Sequence, residues 1–273
     1  MDGGQPAGHA ADRPPEFVEA LARGMAVLEA FDAEHGEMTL SEIARRAGTS
    51  PAAARRALIT LEELGYVGQS NRRFSPRPKL LTLGASFYGA ARVADLLQPN
   101  LREIVAEFGD ASSVAVLDGT DVIYVAHLSV QRARRPAATV GARYPAWATS
   151  LGRAILSGLP DEEVALRLAE ADPHPLTDTC CTDPTALADA VRAARTDGYA
   201  VTVDQLDYGI TAIAVPVRAP DGRTVAALNS SGYTGRVTPE SLVAERLPAL
   251  RAAAIRIGDA IRRTPVLQAV LGG

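Results

Sequence analysis

The chain has 273 residues, 47% hydrophobic and 22% charged, which fits a globular protein with room for two domains and excludes a low-hydrophobicity disordered chain. No apolar run approaches the roughly 20 residues of a membrane-spanning helix, and the opening MDGGQPAGHAADRPP lacks the basic and apolar regions of a secretory signal, so residues 1–15 are expected to be a disordered lead-in and the protein to be cytoplasmic. The net charge of -4 is uneven: residues 1–35 hold 2 Arg against 7 acids, residues 36–80 hold 8 basic residues against 4 acids, and the remainder holds 18 against 21, so a nucleic-acid footprint would be confined to residues 36–80.

From Phe17, apolar residues recur at Ala20, Leu21, Leu28 and Phe31, the spacing of a helix with one buried stripe, and Gly36 is expected to end it. Thr39-Leu40-Ser41-Glu42 is a capping box, which starts a short second helix with Leu40, Ile43, Ala44 and Ala47 on its apolar face. Gly48 closes that helix. Ser50 is then a candidate N-cap and Pro51 suits the first helical position, so a third helix begins almost at once. Ala54, Ala57, Leu58, Leu61 and Leu64 share its inner face, leaving Ala52, Arg55, Arg56 and Ile59 outward.

Two short helices joined by a tight glycine turn, the second with small and basic residues at its exposed start, match a helix-turn-helix whose second helix enters the major groove. Gly65 to Ser75 follows as two short strands around a polar turn, a wing with Arg72 and Arg73 near its tip placed for phosphate or minor-groove contact. The candidate DNA-binding residues are Thr39, Ser41, Arg45, Ser50, Pro51, Ala52, Arg55, Arg56, Arg72 and Arg73. A helix pair with a solvated hairpin, serving as a protein-binding module, is the alternative for the same pattern.

Pro76-Arg77-Pro78 breaks structure, and Leu80 to Phe108 reads as a helical connector that Pro99 ends or kinks. SSVAVLD and VIYVAHLS then flank Gly119-Thr120 as a hairpin, and YAVTVD, TAIAVPVRA and TVAALNSS are further β-rich runs, the last two joined by Pro220-Asp221-Gly222. Helical patterns lie at 151–157, 161–169, 184–196 and 238–262. The expectation is an α+β domain, an antiparallel sheet with helices packed to one side.

LARGMAVLEAF, LSEIARRAGTSPAAARRALITLEELGYV and RRFSPRPKLLTLG resemble the first helix, helix-turn-helix and wing of the IclR family of transcription regulators. The resemblance continues through AVLDGTDVIYVAHLS, VGARYPAWATSLGRAIL, GITAIAVPV and VAALNSSG, about residues 17 to 265. Within the family, PAAARRALITLEELGYV, PAWATSLGRAIL and AALNSSG are most similar to the branch that regulates aromatic-acid catabolism through the β-ketoadipate pathway. The resemblance implies a winged helix-turn-helix at 16–78, a linker helix at 79–95 and a GAF-like effector-binding domain at 96–267. It also implies double-stranded operator DNA and a small organic acid as ligands, a homodimer or tetramer, and RNA polymerase as a partner if the protein is an activator.

Thr149-Ser150-Leu151-Gly152 precedes a helix, whose free N–H groups and positive dipole end suit a carboxylate. The resemblance carries small-acid binding onto Ser150 and Leu151, onto Ile210 and Ala212 in GITAIA, and onto Asn229 and Ser231 in ALNSSG. Trp147, the only tryptophan, and Thr149 are expected to wall that pocket. Arg143 is the nearest candidate fork for a carboxylate, or else pairs with Asp204 or Asp207 across the rim. Residue by residue the plainer readings are an N-cap for Ser150, a core position for Trp147 and strand-end polar groups for Asn229 and Ser231.

The alternative to a regulator is a small-acid-binding enzyme with an accessory helical domain. Against it, the sequence contains no GxSxG, P-loop, GxGxxG or HExxH, and no cofactor is implied. The two cysteines, Cys180 and Cys181, are adjacent and complete no metal-ligand spacing.

Overall fold

The computed structural model describes residues 14–32, 35–91, 93–130 and 138–264, so most of the expected disordered lead-in lies outside the described residues. The chain divides into two compact units, residues 1–87 and 88–273. The division falls inside the stretch expected to be a linker.

In the first unit, α1 (Glu19–Glu29), α2 (Leu40–Arg46) and α3 (Pro51–Glu63) accompany a three-stranded sheet of β1 (Met38–Thr39), β3 (Arg73–Pro76) and β2 (Val67–Ser70), in that order. Both helix starts form as the sequence predicts. The Thr39 hydroxyl accepts from the Glu42 N–H while the Glu42 carboxylate accepts from the Thr39 N–H at 2.7 Å. Ser50 accepts from the Ala53 N–H at 3.2 Å, with Pro51 as first helical residue. Between the helices Gly48 takes φ +58°, a left-handed conformation that costs glycine nothing. Val27, Ile43, Ala54, Leu58, Leu61, Val67 and Phe74 close one core, each large member contributing about 1.5–3 kcal/mol by leaving water.

Two expectations are corrected in this unit. The first helix ends at Glu29, with Ala30 as its cap, rather than at Gly36. Leu64, expected inside, caps α3 and is half exposed, whereas Ala53 is buried. The third strand, β1, is only two residues long and pairs Met38 with Phe74 and Thr39 with Arg73.

A 3-10 turn (Pro78–Leu80) leads into α4 (Leu81–Ala91), within which the division between the units falls, and α5 (Val93–Phe108) follows in the second unit. α5 runs through Pro99, so the proline does not end the helix, one of the two outcomes expected from the sequence. Asn100 beside it turns its side-chain amide back to the Leu96 carbonyl at 3.1 Å.

The second unit holds six antiparallel strands: β4 (Ala111–Asp118), β5 (Asp121–Ser129), β6 (Arg143–Pro145), β7 (Ala200–Val203), β8 (Ile210–Arg218) and β9 (Thr224–Tyr233), in the order β6-β5-β4-β9-β8-β7. Its helices are α6 (Ser150–Leu156), α7 (Asp161–Ala171), α8 (Pro184–Asp197), α9 (Pro239–Ser241) and α10 (Leu247–Arg263), with a π turn at Leu242–Arg246. The helices do not lie on one side, as expected from the sequence. α6 packs on one face of the sheet, against β4, β8 and β9, while α5 and α10 cover the other. Residues Thr211 to Val215 are therefore buried without alternation, as in any strand covered on both faces. On the α10 side the approach is close enough that a Cβ on Gly258 would meet the Arg218 carbonyl oxygen at 2.6 Å.

Candidate functional site

The basic residues of the first unit fall into two sets. Arg46 donates through Nε to the Ala30 carbonyl at 2.8 Å and pairs with Asp32. Arg73 donates to the Glu37 carbonyl at 3.1 Å and lies within 4 Å of the Glu37 and Glu42 carboxylates. Lys79 donates to the Leu64 carbonyl and stands over the Tyr66 ring. These three cations hold the unit together.

Arg45, Arg55, Arg56 and Arg72 form the other set. All are exposed, and among the described residues none has a carboxylate oxygen within 4 Å. Arg55 and Arg56 project from the second turn of α3, beside exposed Ser50, Pro51 and Ala52. Arg45 and Ser41 lie exposed on α2. Arg72 is at the tip of the β2–β3 hairpin, where Asn71 and Arg72 both take positive φ (47° and 64°), the two-residue turn that matches strand twist. The candidate residues thus separate by environment: Thr39 is a half-buried cap, Arg73 is committed to Glu37 and Glu42, and four arginines extend from the surface. Glu42, whose carboxyl is held below its usual range by the Thr39 hydrogen bonds, serves the cap and the wing strand together.

In the second unit the α6-facing side of the sheet is assembled by register. Asn229 pairs with Ser113 and Ala214, Ser231 with Ala111 and Ala212, and Ile210 with Tyr233, so Ile210, Ala212, Asn229 and Ser231 share this face. Trp147 and Leu151, 2% and 0% exposed, belong to one apolar cluster with Ala115, Tyr124, Ala214 and Ala227 of that face. The sequence-predicted residues from three separate segments are thereby brought together on one side of the sheet.

At the start of α6 the cap is Thr149, not Ser150: its hydroxyl accepts from the Gly152 N–H at 2.9 Å. Ser150 is buried in the first turn. The chain there is crowded, since a Cβ on Gly152 would lie 2.1 Å from the Ala146 carbonyl oxygen.

Arg143 is placed differently from expectation. It pairs with Asp118 and Asp121 at 2.7 and 3.1 Å on the exposed β5–β6 side and not with Asp204 or Asp207. Asp204, with φ +49°, instead anchors the β7–β8 turn by accepting from the Gly209 and Ile210 N–H groups and from the Thr234 hydroxyl. Thr177 and Thr179 donate to its carbonyl, and Gln205 beside it donates to the Thr179 carbonyl, which ties residues 177–181 to this turn.

Three groups on the α6 side were missed by sequence reasoning. Arg153 is 8% exposed, donates to the Trp147 carbonyl and to Gln205 Oε1, and its guanidinium is held below its usual range by burial. Ser113 and His127 extend the Asn229 row toward β5, with Ser113 Oγ 2.9 Å from His127 Nδ1. The signal for the last two was a polar residue at an inward position of an apolar strand, legible only once β4 and β5 are in register. Three cavities of about 440, 590 and 490 Å³ open on this unit. Arg153 lines the second, and the predicted effector residues line none of the three.

Among the described residues, no helix is long and apolar enough to cross a membrane. Residues 20–70 match the IclR helix-turn-helix domain and residues 87–259 the bacterial transcriptional regulator IclR C-terminal domain. The chain is 37% identical over 240 residues to the Pca regulon regulatory protein of Pseudomonas putida, covering 88% of this chain and 82% of that one. It is 34% identical over 245 residues to the p-hydroxybenzoate hydroxylase transcriptional activator of Acinetobacter baylyi, covering 88% and 90%. An IclR homolog from Microbacterium hydrocarbonoxydans, crystallised with 4-hydroxybenzoate, superposes with a TM-score of 0.72 at 26% identity over 90% of this chain and 100% of that one. These relatives are regulators, which sets aside the enzyme alternative. With a matched helix-turn-helix and a matched C-terminal domain, the chain belongs to the IclR family of bacterial transcriptional regulators.

Proposed function

We propose that this regulator binds operator DNA through α3 and the wing, and that a small aromatic acid held on the α6-facing side of the second unit controls an aromatic-acid catabolic operon. The observation that carries the DNA reading is the division of the basic residues: Arg46 and Arg73 are spent on internal partners, while Arg45, Arg55, Arg56 and Arg72 present free donors. The aromatic-acid reading is supported by the relatives named for the Pca regulon and for p-hydroxybenzoate hydroxylase, and by the homolog crystallised with 4-hydroxybenzoate.

The DNA-bound form is a homodimer or a tetramer, placing recognition helices in successive major grooves of a pseudo-palindrome. Leu21 and Met25, 65% and 43% exposed at i and i+4 of α1, support a surface covered by a second copy. If the outcome is activation, RNA polymerase is a further partner. The ligand regulates by binding the DNA-competent and incompetent arrangements with different affinity.

Genomic fragments selected by the full-length protein test this reading. A selected duplex should bind at least a thousandfold more tightly than unrelated DNA at the same salt. Equal affinity for both would reject it.

A further inference from the structure

Strand register sets His127, Ser113, Asn229, Ala214 and Ala200 in one row across five strands on the α6-facing side of the sheet. The neighbouring row, Tyr124, Ala115 and Ala227, is apolar and buried. A bulge puts this arrangement in place: the β4–β5 register shifts between Val114 and Ala115, so that Tyr124 pairs with Ala115 and His127 with Ser113, both on the same side. Most of the polar groups in the row satisfy one another. The Ser113 N–H donates to Asn229 Oδ1 at 2.8 Å, and Ser113 Oγ meets His127 Nδ1 at 2.9 Å. At the end of the row, His127 Nε2 is sheltered from solvent and has no hydrogen-bond partner among the described residues. A buried ring nitrogen without a partner is costly, and native interiors rarely leave one so unless something else completes it.

We infer that His127 Nε2 pairs with the ring hydroxyl of a hydroxylated aromatic acid bound on this face, and that His127 therefore sets the preference for hydroxylated over plain aromatic acids. This rests on the aromatic-acid reading above and assigns one group of the ligand. A hydroxyl is donor and acceptor at once, so it completes the imidazole whichever ring nitrogen carries the proton. Burial holds the imidazole below its ordinary range and hence neutral. A neutral ring matches a neutral hydroxyl, whereas a carboxylate calls for a cation or several N–H donors. Ser113, fixed from the far side by the Asn229 amide, orients the ring. A site built to hydrogen-bond a hydroxyl discriminates strongly against the analogue that lacks it, because its own polar group is then left unpaired.

The test is calorimetric titration of the full-length protein and of His127→Phe with benzoate, 3-hydroxybenzoate, 4-hydroxybenzoate and 3,4-dihydroxybenzoate. The wild type should bind one of the hydroxylated acids at least tenfold more tightly than benzoate, and His127→Phe should bring that ratio to within about threefold while benzoate affinity changes little. Because the variant could fold poorly, imidazole ¹⁵N spectra of the wild type, which has four histidines, give a second readout. The His127 Nε2 resonance should move with the preferred hydroxylated acid and stay in place with benzoate. A wild type that binds benzoate as tightly as the hydroxylated acids, a preference that survives His127→Phe, or an unmoved Nε2 resonance would each overturn the His127 assignment while leaving the aromatic-acid reading standing. Failure of all four acids to bind would overturn both.

Discussion

Arg246 and Asp110, 136 positions apart in sequence, form an ion pair of 2.7 Å in the second unit, with side chains 5% and 12% exposed. Arg246 ends the π turn before α10, donates also to Ser230 Oγ on β9 and stacks over Phe108 at the end of α5. It joins elements from both ends of the unit. Asp110→Ala should lower the unfolding free energy by about 3–5 kcal/mol, since truncation leaves the guanidinium buried without its counter-charge. Urea unfolding of the two proteins checks this; a loss under 1 kcal/mol would show that the pair is dispensable.

The two sets of arginines should behave in opposite ways. Arg56→Ala should weaken operator binding by about 1–3 kcal/mol if it reads a base edge, and relax preference at one position. Arg72→Ala should weaken binding evenly across sequences and reduce the salt slope by about one. Arg73→Ala should instead lower the melting temperature of the first unit, because it removes contacts to Glu37 and Glu42. Anisotropy titrations at several salt concentrations, paired with thermal melts, separate these outcomes.

Gly152→Ala should be strongly destabilising although alanine favours helices. The added methyl would lie 2.1 Å from the Ala146 carbonyl oxygen, a backbone atom that cannot swing aside. The expected cost is at least about 1–3 kcal/mol, the range for overpacked sites, read by denaturant midpoint. An unchanged midpoint would mean that the turn before α6 relaxes freely.

His127 also predicts a pH dependence. Burial lowers its folded-state pKa below the ordinary imidazole value of about 6.5, so in the window between the folded value and about 6.5 the unfolded chain binds more protons than the native one. Stability from this residue is complete above that window and is lost as the pH falls through it. His127→Phe should flatten the stability profile just below about pH 6.5. A wild-type profile already flat there would contradict the shift.

The helix-turn-helix was legible because its signals are local. Thr39, Glu42, Ser50 and Pro51 lie within a few positions of the backbone groups they cap, and the arginines sit on helix faces that period alone assigns. The second unit was less legible where the deciding partner is far away in sequence. β-Runs such as TAIAVPVRA revealed strands, but unbroken apolar character was the sign of a sheet covered twice, and the helices were expected on one side only. Pro99 reads as a breaker in sequence, yet α5 continues through it. The ion partners of Arg143 lie on β4 and β5, which only the sheet register reveals. His127 and Ser113 are of the same kind, since neither motif nor spacing joins them to Asn229.

The most direct test of the whole account is operator binding measured by anisotropy with the full-length protein, with and without saturating 4-hydroxybenzoate and 3,4-dihydroxybenzoate. The account predicts that at least one of these acids changes the operator dissociation constant by about 5- to 150-fold, the range of a coupling of 1–3 kcal/mol, while affinity for unrelated DNA follows salt alone. Specific operator binding that neither acid alters, at concentrations where the acid is bound, would contradict it.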